Sequence, residues 1–184
     1  MFIGIDTFAA RPDGFRHYNS AAFVRPDTGL AGRYDKLHLV PFGEYLPLKD
    51  ALPFLGMVSP IPAEFSITPG ETAHAFAYKG WRFAPIICFE DTVPQLVRGV
   101  VNATTAPPAD QPDAAPRKPD CLVNLTNDGW FHGSSELDQH LITASFRAVE
   151  CRTPMVRAVN TGISAVIDGD GLIREPDVFL DADG

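Results

Sequence analysis

Cysteine is scarce in this chain, whose 184 residues include only Cys88, Cys121 and Cys151. An odd number of widely spaced cysteines does not build a disulfide framework. No two of them form the Cys-x-x-Cys pair typical of zinc sites, the five histidines lack metal-binding spacing, and there is no glycine-rich phosphate loop. The sequence therefore predicts no metal and no cofactor. Core packing is the default interpretation for Cys121 and Cys151.

The chain also has fewer positively than negatively charged residues, and it lacks long apolar runs. Fifteen lysines and arginines stand against 23 acidic residues, which gives a net charge of −8. Since nonspecific nucleic-acid binding needs a basic surface, we expect no nucleic-acid partner. No stretch approaches the roughly 18 apolar residues of a membrane span, and the first residues lack the basic segment of a signal peptide.

What remains is the composition of an ordinary globular protein, 45% hydrophobic and 21% charged. The chain opens directly on an apolar run at residues 2–8, which predicts a central strand without a lead-in. It stops after residues 179–184 without an evident closing element. We therefore expect residues 1–184 to be one partial domain that lacks its N-terminal part.

Short apolar runs separated by turn signals predict strands and hairpins. One hairpin joins residues 17–25 to the chain after a turn at 27–29, and another joins residues 73–78 to 81–87. Further predicted elements are helices at 92–101 and 136–152, and strands at 121–125, 155–159 and 163–168. This mixture predicts a layered α/β domain with a mixed sheet, in which ligands lie beyond the carboxyl ends of the strands.

Two segments show little periodicity. Residues 47–70 are rich in proline and predict a long ordered loop, a kind of loop that is usually functional. Residues 103–119 hold five prolines and five alanines without any aromatic residue. This second segment predicts a disordered insertion.

The strongest chemical signal is Cys88, which ends the apolar run 83–87 and precedes a predicted helix start at Asp91 and Thr92. A sharp turn from strand to helix exposes a thiol, and a helix N-terminus favours its thiolate. A lysine can stabilise a developing oxyanion, and Lys36 stands in an unusual segment upstream. Taken singly, each has an ordinary interpretation, since free cysteines are mostly buried in cores and lysines mostly lie in solvent.

Several segments together resemble a known family. They are residues 34–47, 87–90, 127–131, 139–140, 147–150 and 157–164. In this order they resemble the motifs of the nitrilase (carbon–nitrogen hydrolase) superfamily. The stretch Val40–Tyr45 is similar to the corresponding part of one branch, the bacterial apolipoprotein N-acyltransferases. The resemblance covers nearly the whole chain outside the insertion.

The resemblance implies an αββα sandwich, with mixed sheets and outer helices, and a Glu–Lys–Cys catalytic triad. Cys88 would be the nucleophile that takes an acyl chain as a thioester. Lys36 would stabilise the oxyanion, and the backbone N–H of Phe89 is a second candidate donor. Glu44 would support the lysine or its loop, and Glu90 would orient groups beside the nucleophile.

The resemblance also implies partners and a location. The acyl donor would be a phospholipid, and the acceptor would be the free amine of a diacylglyceryl-cysteine at the N-terminus of a lipoprotein. Trp130 and Phe131 are either core residues or an apolar lip over the acyl chain, and the resemblance favours the lip. The family works on the outer, periplasmic face of the cytoplasmic membrane, to which it is attached by segments absent from this chain.

The chain departs from the family pattern in several places. No glutamate precedes Glu44, so the general-base glutamate of the triad is absent, as are the membrane region and the closing C-terminal helix. Phe89 stands where the family often has tyrosine. General-base assistance is typically worth about 10²–10⁴ in rate, so we expect little or no turnover from this polypeptide.

Two other interpretations stay open. The chain could be a soluble nitrilase-like amidase that hydrolyses a small amide with the same Cys88 and Lys36. It could also be a non-catalytic remnant or binding domain, an interpretation that the absent glutamate supports.

Overall fold

The computed structural model describes residues 1–12, 14–48, 66–106, 115–131 and 133–174. Nine strands are formed within these ranges: β1 (Phe2–Arg11), β2 (Gly14–Arg25), β3 (Gly29–Asp35), β4 (Phe76–Tyr78), β5 (Trp81–Ile87), β6 (Cys121–Asn127), β7 (Met155–Asn160), β8 (Ala165–Ile167) and β9 (Ile173–Arg174). The helices are α1 (Pro94–Thr105) and α2 (Glu136–Cys151). Two short 3₁₀ helices complete the described elements: the Cys88 turn (Cys88–Thr92) and the Trp130 turn (Gly129–Phe131).

The strands form two sheets. The first is antiparallel in the order β1-β2-β3, and the second runs β4-β5-β6-β7-β8-β9. In the second sheet β5, β6 and β7 are parallel, whereas β4, β8 and β9 pair antiparallel to their neighbours. The predicted hairpins close where Arg25 faces Gly29 and where Tyr78 faces Trp81. The mixed α/β fold class is therefore confirmed.

Helices α1 and α2 cover one face of the second sheet because they are the crossovers between its parallel strands. Each buries an apolar stripe, such as Val97 and Val100 of α1 or Leu141 and Ala144 of α2. These side chains pack on Leu122 and its neighbours on β5, β7 and β8 to form the larger core. Burial of this kind is the main favourable term in folding the layer.

A second, smaller core lies between the two sheets. Ala21 of β2 and Tyr34 of β3 pack against Ile87, the last residue of β5, with Phe76 and Leu125 at the margin. This contact brings the end of β3, where Lys36 follows, beside the Cys88 turn. The candidate site is thereby placed at the carboxyl ends of the parallel strands, as expected for a layered α/β domain.

Some sequence expectations need correction. β1 was expected in the centre of a sheet, but it lies at an edge of the described first sheet, and most of its residues are exposed. Helix α1 continues to Thr105 and therefore includes the first residues of the expected insertion. Most of the expected long loop (residues 49–65) and residues 107–114 of the insertion lie outside the described residues.

The two sheets are unequal in width. On β7 and β8, Met155 and Ile167 face the helices and are fully buried, whereas their neighbours Val156 and Val166 lie on the opposite face and are exposed. The described first sheet is thus too narrow to cover this side of the second sheet. Within the described ranges, no helix is both long enough and apolar enough to cross a bilayer.

Candidate active site

The backbone reverses at Cys88. β5 ends at Ile87 in extended conformation, and Cys88, the first residue of the 3₁₀ helix, adopts a left-handed conformation with φ of 50°. Positive φ is uncommon for any residue except glycine, so this sharp turn is held by its surroundings. The half-buried Cys88 side chain lies at a cavity of about 750 Å³. The thiol expected at the strand end therefore borders a cavity, although Cys88 is only partly exposed.

The cavity lies between the two sheets and is bounded by several segments. Asp6 on β1, Glu44 on the loop after Lys36, Leu125 on β6 and Trp130 all line it together with Cys88. Its wall is mixed, since it contains apolar strand residues as well as carboxylates and amides. Such a cavity can hold a substrate that has both an apolar part and a polar group.

Lys36 reaches the cavity through Glu44. The Lys36 side chain is fully buried, and its Nζ donates to both carboxylate oxygens of Glu44, at 2.6 and 2.7 Å. The same carboxylate accepts the backbone N–H of Val40 at 2.8 Å, which closes the loop on itself. A buried ammonium is costly unless it is paired, so Glu44 is what makes the cation tolerable beside the cavity.

Glu90 is a buried hub between the chain that follows Lys36 and the Cys88 turn. It is fully buried, and its carboxylate accepts the hydroxyl of Tyr34 and the backbone N–H groups of Leu37, His38 and Ile87, at 2.6 to 3.0 Å. Burial raises the pKa of Glu90, although these hydrogen bonds oppose the rise. Burial and the adjacent carboxylate also raise the pKa of Tyr34 far above its ordinary value.

These hydrogen bonds have a simple mechanical consequence. Two of the Glu90 donors, Leu37 and His38, directly follow Lys36, and a third, Ile87, directly precedes Cys88. One buried carboxylate therefore joins the segment around Lys36 (residues 34–47, the lysine segment) to the Cys88 turn, although the two are about fifty residues apart in the chain.

A second buried network lies behind the Cys88 turn, and we call it the His140 cluster. It consists of Asp91 from the Cys88 turn, Asp128 from the loop after β6, His140 from α2 and Arg157 from β7. The imidazole nitrogens of His140 lie 2.9 Å from Asp91 and 2.9 Å from Asp128. Arg157 donates to the same two carboxylates, at 3.0 and 2.7 Å.

The His140 cluster favours a charged imidazole. Burial alone would lower the pKa of His140, but the two carboxylates outweigh it and raise the pKa to about 9. The hydrogen bond from His140 likewise lowers the pKa of Asp128 against the opposing effect of burial. At neutral pH the cluster therefore holds two carboxylates, one imidazolium and one guanidinium, with no net charge.

The aromatic residues around the site separate into two roles. The Trp130 side chain is exposed over 77% of its surface and lines the cavity. Phe131 is half-buried and turns its ring edge-on to the His140 ring, with 6.1 Å between centroids. Phe89, beside Cys88, is partly exposed. The structure thus brings Trp130 to the cavity with Cys88 and Glu44, and it joins Lys36 and Glu90 to them through hydrogen bonds.

Sequence reasoning missed the His140 cluster as a unit. One available signal is periodicity, because Arg157 lies two residues from the buried Met155 and two from the half-buried Val159 and must share their face of β7. His140 similarly adjoins Leu141 on the buried side of α2. In the part of the chain that the structure describes, no group of three His, Cys, Asp or Glu side chains is arranged to hold a metal ion.

Comparisons with known proteins give the same family as the motifs. The family model for carbon-nitrogen hydrolase matches residues 1–175. An apolipoprotein N-acyltransferase of Geobacter metallireducens is 39% identical over 172 residues, which are 94% of this chain and 30% of that protein. One of Rhizobium meliloti is 40% identical over 161 residues, which are 86% of this chain and 27% of that protein.

Solved structures agree on the fold. A CN-hydrolase superfamily protein of Xanthomonas campestris, solved with an arsenic adduct in its active site, aligns with a TM-score of 0.63 at 19% identity. The alignment covers 94% of this chain and 57% of that one. The chain spans less than a third of the length of the two curated relatives. With the family model matched over nearly its whole length, the chain belongs to the carbon–nitrogen hydrolase family.

Proposed function

We propose that the chain carries the acyl-transfer centre of an apolipoprotein N-acyltransferase, with Cys88 as the nucleophile. The observation that carries this proposal is the left-handed Cys88 at the end of β5, which opens to the same cavity as Glu44, the partner of Lys36. Similarity to relatives of that name over most of this chain supports the choice of branch.

The proposed reaction has two half-reactions. In the first, the Cys88 thiol gives up its proton and its sulfur attacks the ester carbonyl of a phospholipid, the carbon–oxygen bond breaks, and a lysophospholipid leaves with that proton. In the second, the amine of an N-terminal diacylglyceryl-cysteine attacks the thioester, and the sulfur leaves as the thiol. The net change moves one acyl chain from oxygen to nitrogen without oxidation or reduction.

The surrounding residues take supporting roles in this proposal. The Lys36 ammonium and the Phe89 N–H stabilise the oxyanion of each tetrahedral intermediate. Glu44 holds Lys36 in place, and Glu90 fixes the lysine segment against the Cys88 turn. Neither of these glutamates is free to serve as the general base, because each is engaged by several donors.

We also propose that Trp130 forms an apolar lip over the acyl chain, since it is exposed and lines the cavity. Phe131 supports this lip from behind through its contact with His140. A phospholipid donor requires a membrane surface. The motif resemblance to the apolipoprotein N-acyltransferases implies that this surface is the outer face of the cytoplasmic membrane. Low turnover by the 184-residue chain alone stays a prediction.

The test is the mass of the protein after exposure to acyl donors, because a single adduct does not require turnover. The chain is incubated with phosphatidylethanolamine vesicles or with a short-chain p-nitrophenyl ester. We expect a hydroxylamine-labile acyl adduct in the wild type and in Cys121→Ala, a matched control at another half-buried thiol. The adduct should be absent in Cys88→Ala.

The other outcomes discriminate between the alternatives. An adduct that persists in Cys88→Ala would refute Cys88 as the nucleophile. Acylation by the small ester together with hydrolysis of small amides, but no transfer from phospholipid, would favour an amidase. No adduct with either donor would favour a non-catalytic remnant.

A further inference from the structure

His140 has no part in the acyl-transfer steps, yet it touches both segments that shape the cavity. Asp91, which accepts from one ring nitrogen, belongs to the Cys88 turn. Asp128, which accepts from the other, lies immediately before the Trp130 turn. The side chain of one helical residue therefore spans the gap between the nucleophile and the lip.

The hydrogen-bond partners of His140 favour the doubly protonated ring. A carboxylate is an acceptor, so each of the two ring nitrogens meets an acceptor at 2.9 Å and both must donate. The other polar groups around these carboxylates are donors as well: the Arg157 guanidinium, the amide of Asn124 and the hydroxyl of Thr126. Arg147, on the same helix as His140, donates to the backbone carbonyl of Asp91.

Loss of the imidazolium proton would break one side of this bridge. A neutral ring has one lone pair, which would face a buried carboxylate oxygen at hydrogen-bond distance. Leaving a buried charge without its donor is strongly unfavourable, so one carboxylate must move or take up water. Asp91 and Asp128 belong to different site segments, and Arg157 still donates to both of them. Such a movement therefore shifts the Cys88 turn relative to the Trp130 turn without releasing either one.

Phe131 adds a direct contact on the same side. Phe131 directly follows Trp130 in the chain, and its ring contacts the His140 ring edge-on. A change in the position or charge of the imidazole is thus transmitted to the lip by packing as well as through Asp128.

We propose that the His140 imidazolium is a positioning residue that fixes the Trp130 lip relative to the Cys88 turn and so sets the shape of the acyl cavity mouth. That the cavity binds an acyl chain rests on the proposed function, whereas the hydrogen bonds from His140 to Asp91 and Asp128 do not depend on it. The device makes the geometry of the site sensitive to alkaline pH through a residue that never touches the substrate.

The first test is nitrogen NMR of His140 in the 184-residue chain. At pH 7.5 we expect both ring nitrogens to carry protons, and the His140 signals should change only at a pH well above 7. A neutral His140 ring at pH 7.5 would overturn the proposal. This measurement needs no substrate, so its failure is distinct from a failure of the Cys88 adduct test.

The second test follows the lip itself. The chain has two tryptophans, so Trp81→Phe leaves Trp130 as the sole tryptophan, whose emission can be excited selectively. We expect the acrylamide quenching of Trp130 to change in a step between pH 7.5 and 9.5, in parallel with the His140 signals. In the same background His140→Gln should lose the step, whereas His74→Gln, a control at an exposed histidine, should keep it.

Remaining outcomes also decide the matter. Replacement of Asp128 by asparagine removes one of the two carboxylates and should move the Trp130 step to lower pH by at least one unit. A step that keeps its midpoint in Asp128→Asn, or that persists in His140→Gln, would show that another group controls the lip. If His140→Gln does not fold, agreement or disagreement between the wild-type Trp130 step and the His140 signals still decides.

Discussion

At the scale of single residues, the chemistry of the site depends on neighbours that do not react. Glu90 is two positions from Cys88, but its importance lies in the donors that it collects from the lysine segment. A buried carboxylate with donors on both oxygens is worth far more than a surface ion pair, because removing any one contact leaves a buried group unsatisfied.

Glu90→Gln tests this role. The amide nitrogen has to stand where one carboxylate oxygen now accepts, for instance opposite the N–H of Ile87 at 2.6 Å. We expect a loss of about 2 kcal/mol in the free energy of unfolding from one unsatisfied buried donor. Urea unfolding followed by circular dichroism measures it. The control Glu71→Gln alters an exposed residue and should stay within about 0.5 kcal/mol of the wild type; equal effects would refute the hub.

At the residue level, segments that are local in the chain can be recognised from sequence, whereas contacts between distant residues cannot. The segments around Lys36 and Cys88 can be recognised in the chain, but the pairing of Asp91 with His140 joins residues 49 positions apart. Periodicity predicts that the Arg157 side chain faces the protein interior, but it does not predict which charged side chains Arg157 contacts there. Only the packing of α2 across β6 and β7 brings the four charged groups together.

At the scale of elements, the lysine segment is held by a strand end and by the chain that returns over it. The N–H of Gly70 donates to the carbonyl of Lys36 at 2.7 Å. A β-carbon at Gly70 would overlap the backbone of Asp35, the last residue of β3. The segment that ends at Gly70 can therefore lie on β3 only because it has no side chain there.

Gly70→Ala should push this returning chain away from Lys36. We expect a loss of about 1–3 kcal/mol in unfolding free energy from overpacking against rigid backbone. Gly99→Ala is the matched comparison, because Gly99 lies in α1 with open space around its β-carbon position. This change should instead add about 0.5–1 kcal/mol. Thermal unfolding of both variants measures the difference, and similar shifts for the two would contradict the close approach.

The positions of strands and helices in the chain were easier to predict than their positions within the sheets. Hairpins follow from turn residues, and parallel strands follow from the intervening helical patterns, so β2 to β7 were largely predictable. The apolar run of β1 was expected in a sheet centre because a short apolar run reads as a strand buried on both sides. Such a run does not reveal how many strands lie beside it, and that number decides whether it is central or at an edge.

At the scale of the whole molecule, four buried charged groups meet where α2 packs on the second sheet. The His140 cluster ties the Cys88 turn, the end of β6, α2 and β7 into one unit, and its charges cancel only while His140 is protonated. Stability of the whole domain should therefore depend on a single proton as pH rises.

The pH dependence has a definite sign. The pKa of His140 is raised from 6.5 to about 9 in the folded protein, so its contribution is complete below pH 6.5 and is lost as pH rises towards about 9. We expect the unfolding free energy to fall by a few kcal/mol across this window. Urea titrations between pH 6.5 and 8.5 suffice, since Cys121 and Cys151, whose thiol pKa values burial raises, add their own loss only above that range.

The variant His140→Gln provides the comparison for this curve. It should be less stable at pH 6.5 and nearly flat up to pH 8.5, whereas His74→Gln should follow the wild type. A wild-type curve that is itself flat over this window would refute a charged His140 in the folded state.

The left-handed backbone at Cys88 also bears on how such proteins diverge. A cysteine held at φ of 50° destabilises the folded state by of order 1 kcal/mol relative to glycine. The stability of the fold therefore does not favour a cysteine at this position. If Cys88 is the nucleophile that we propose, mutation is free to relieve this strain once a descendant no longer needs the thiol. Glycine, rather than serine or alanine, is then the replacement that drift should favour at this position, and its appearance in a relative would mark a lineage that has abandoned the chemistry.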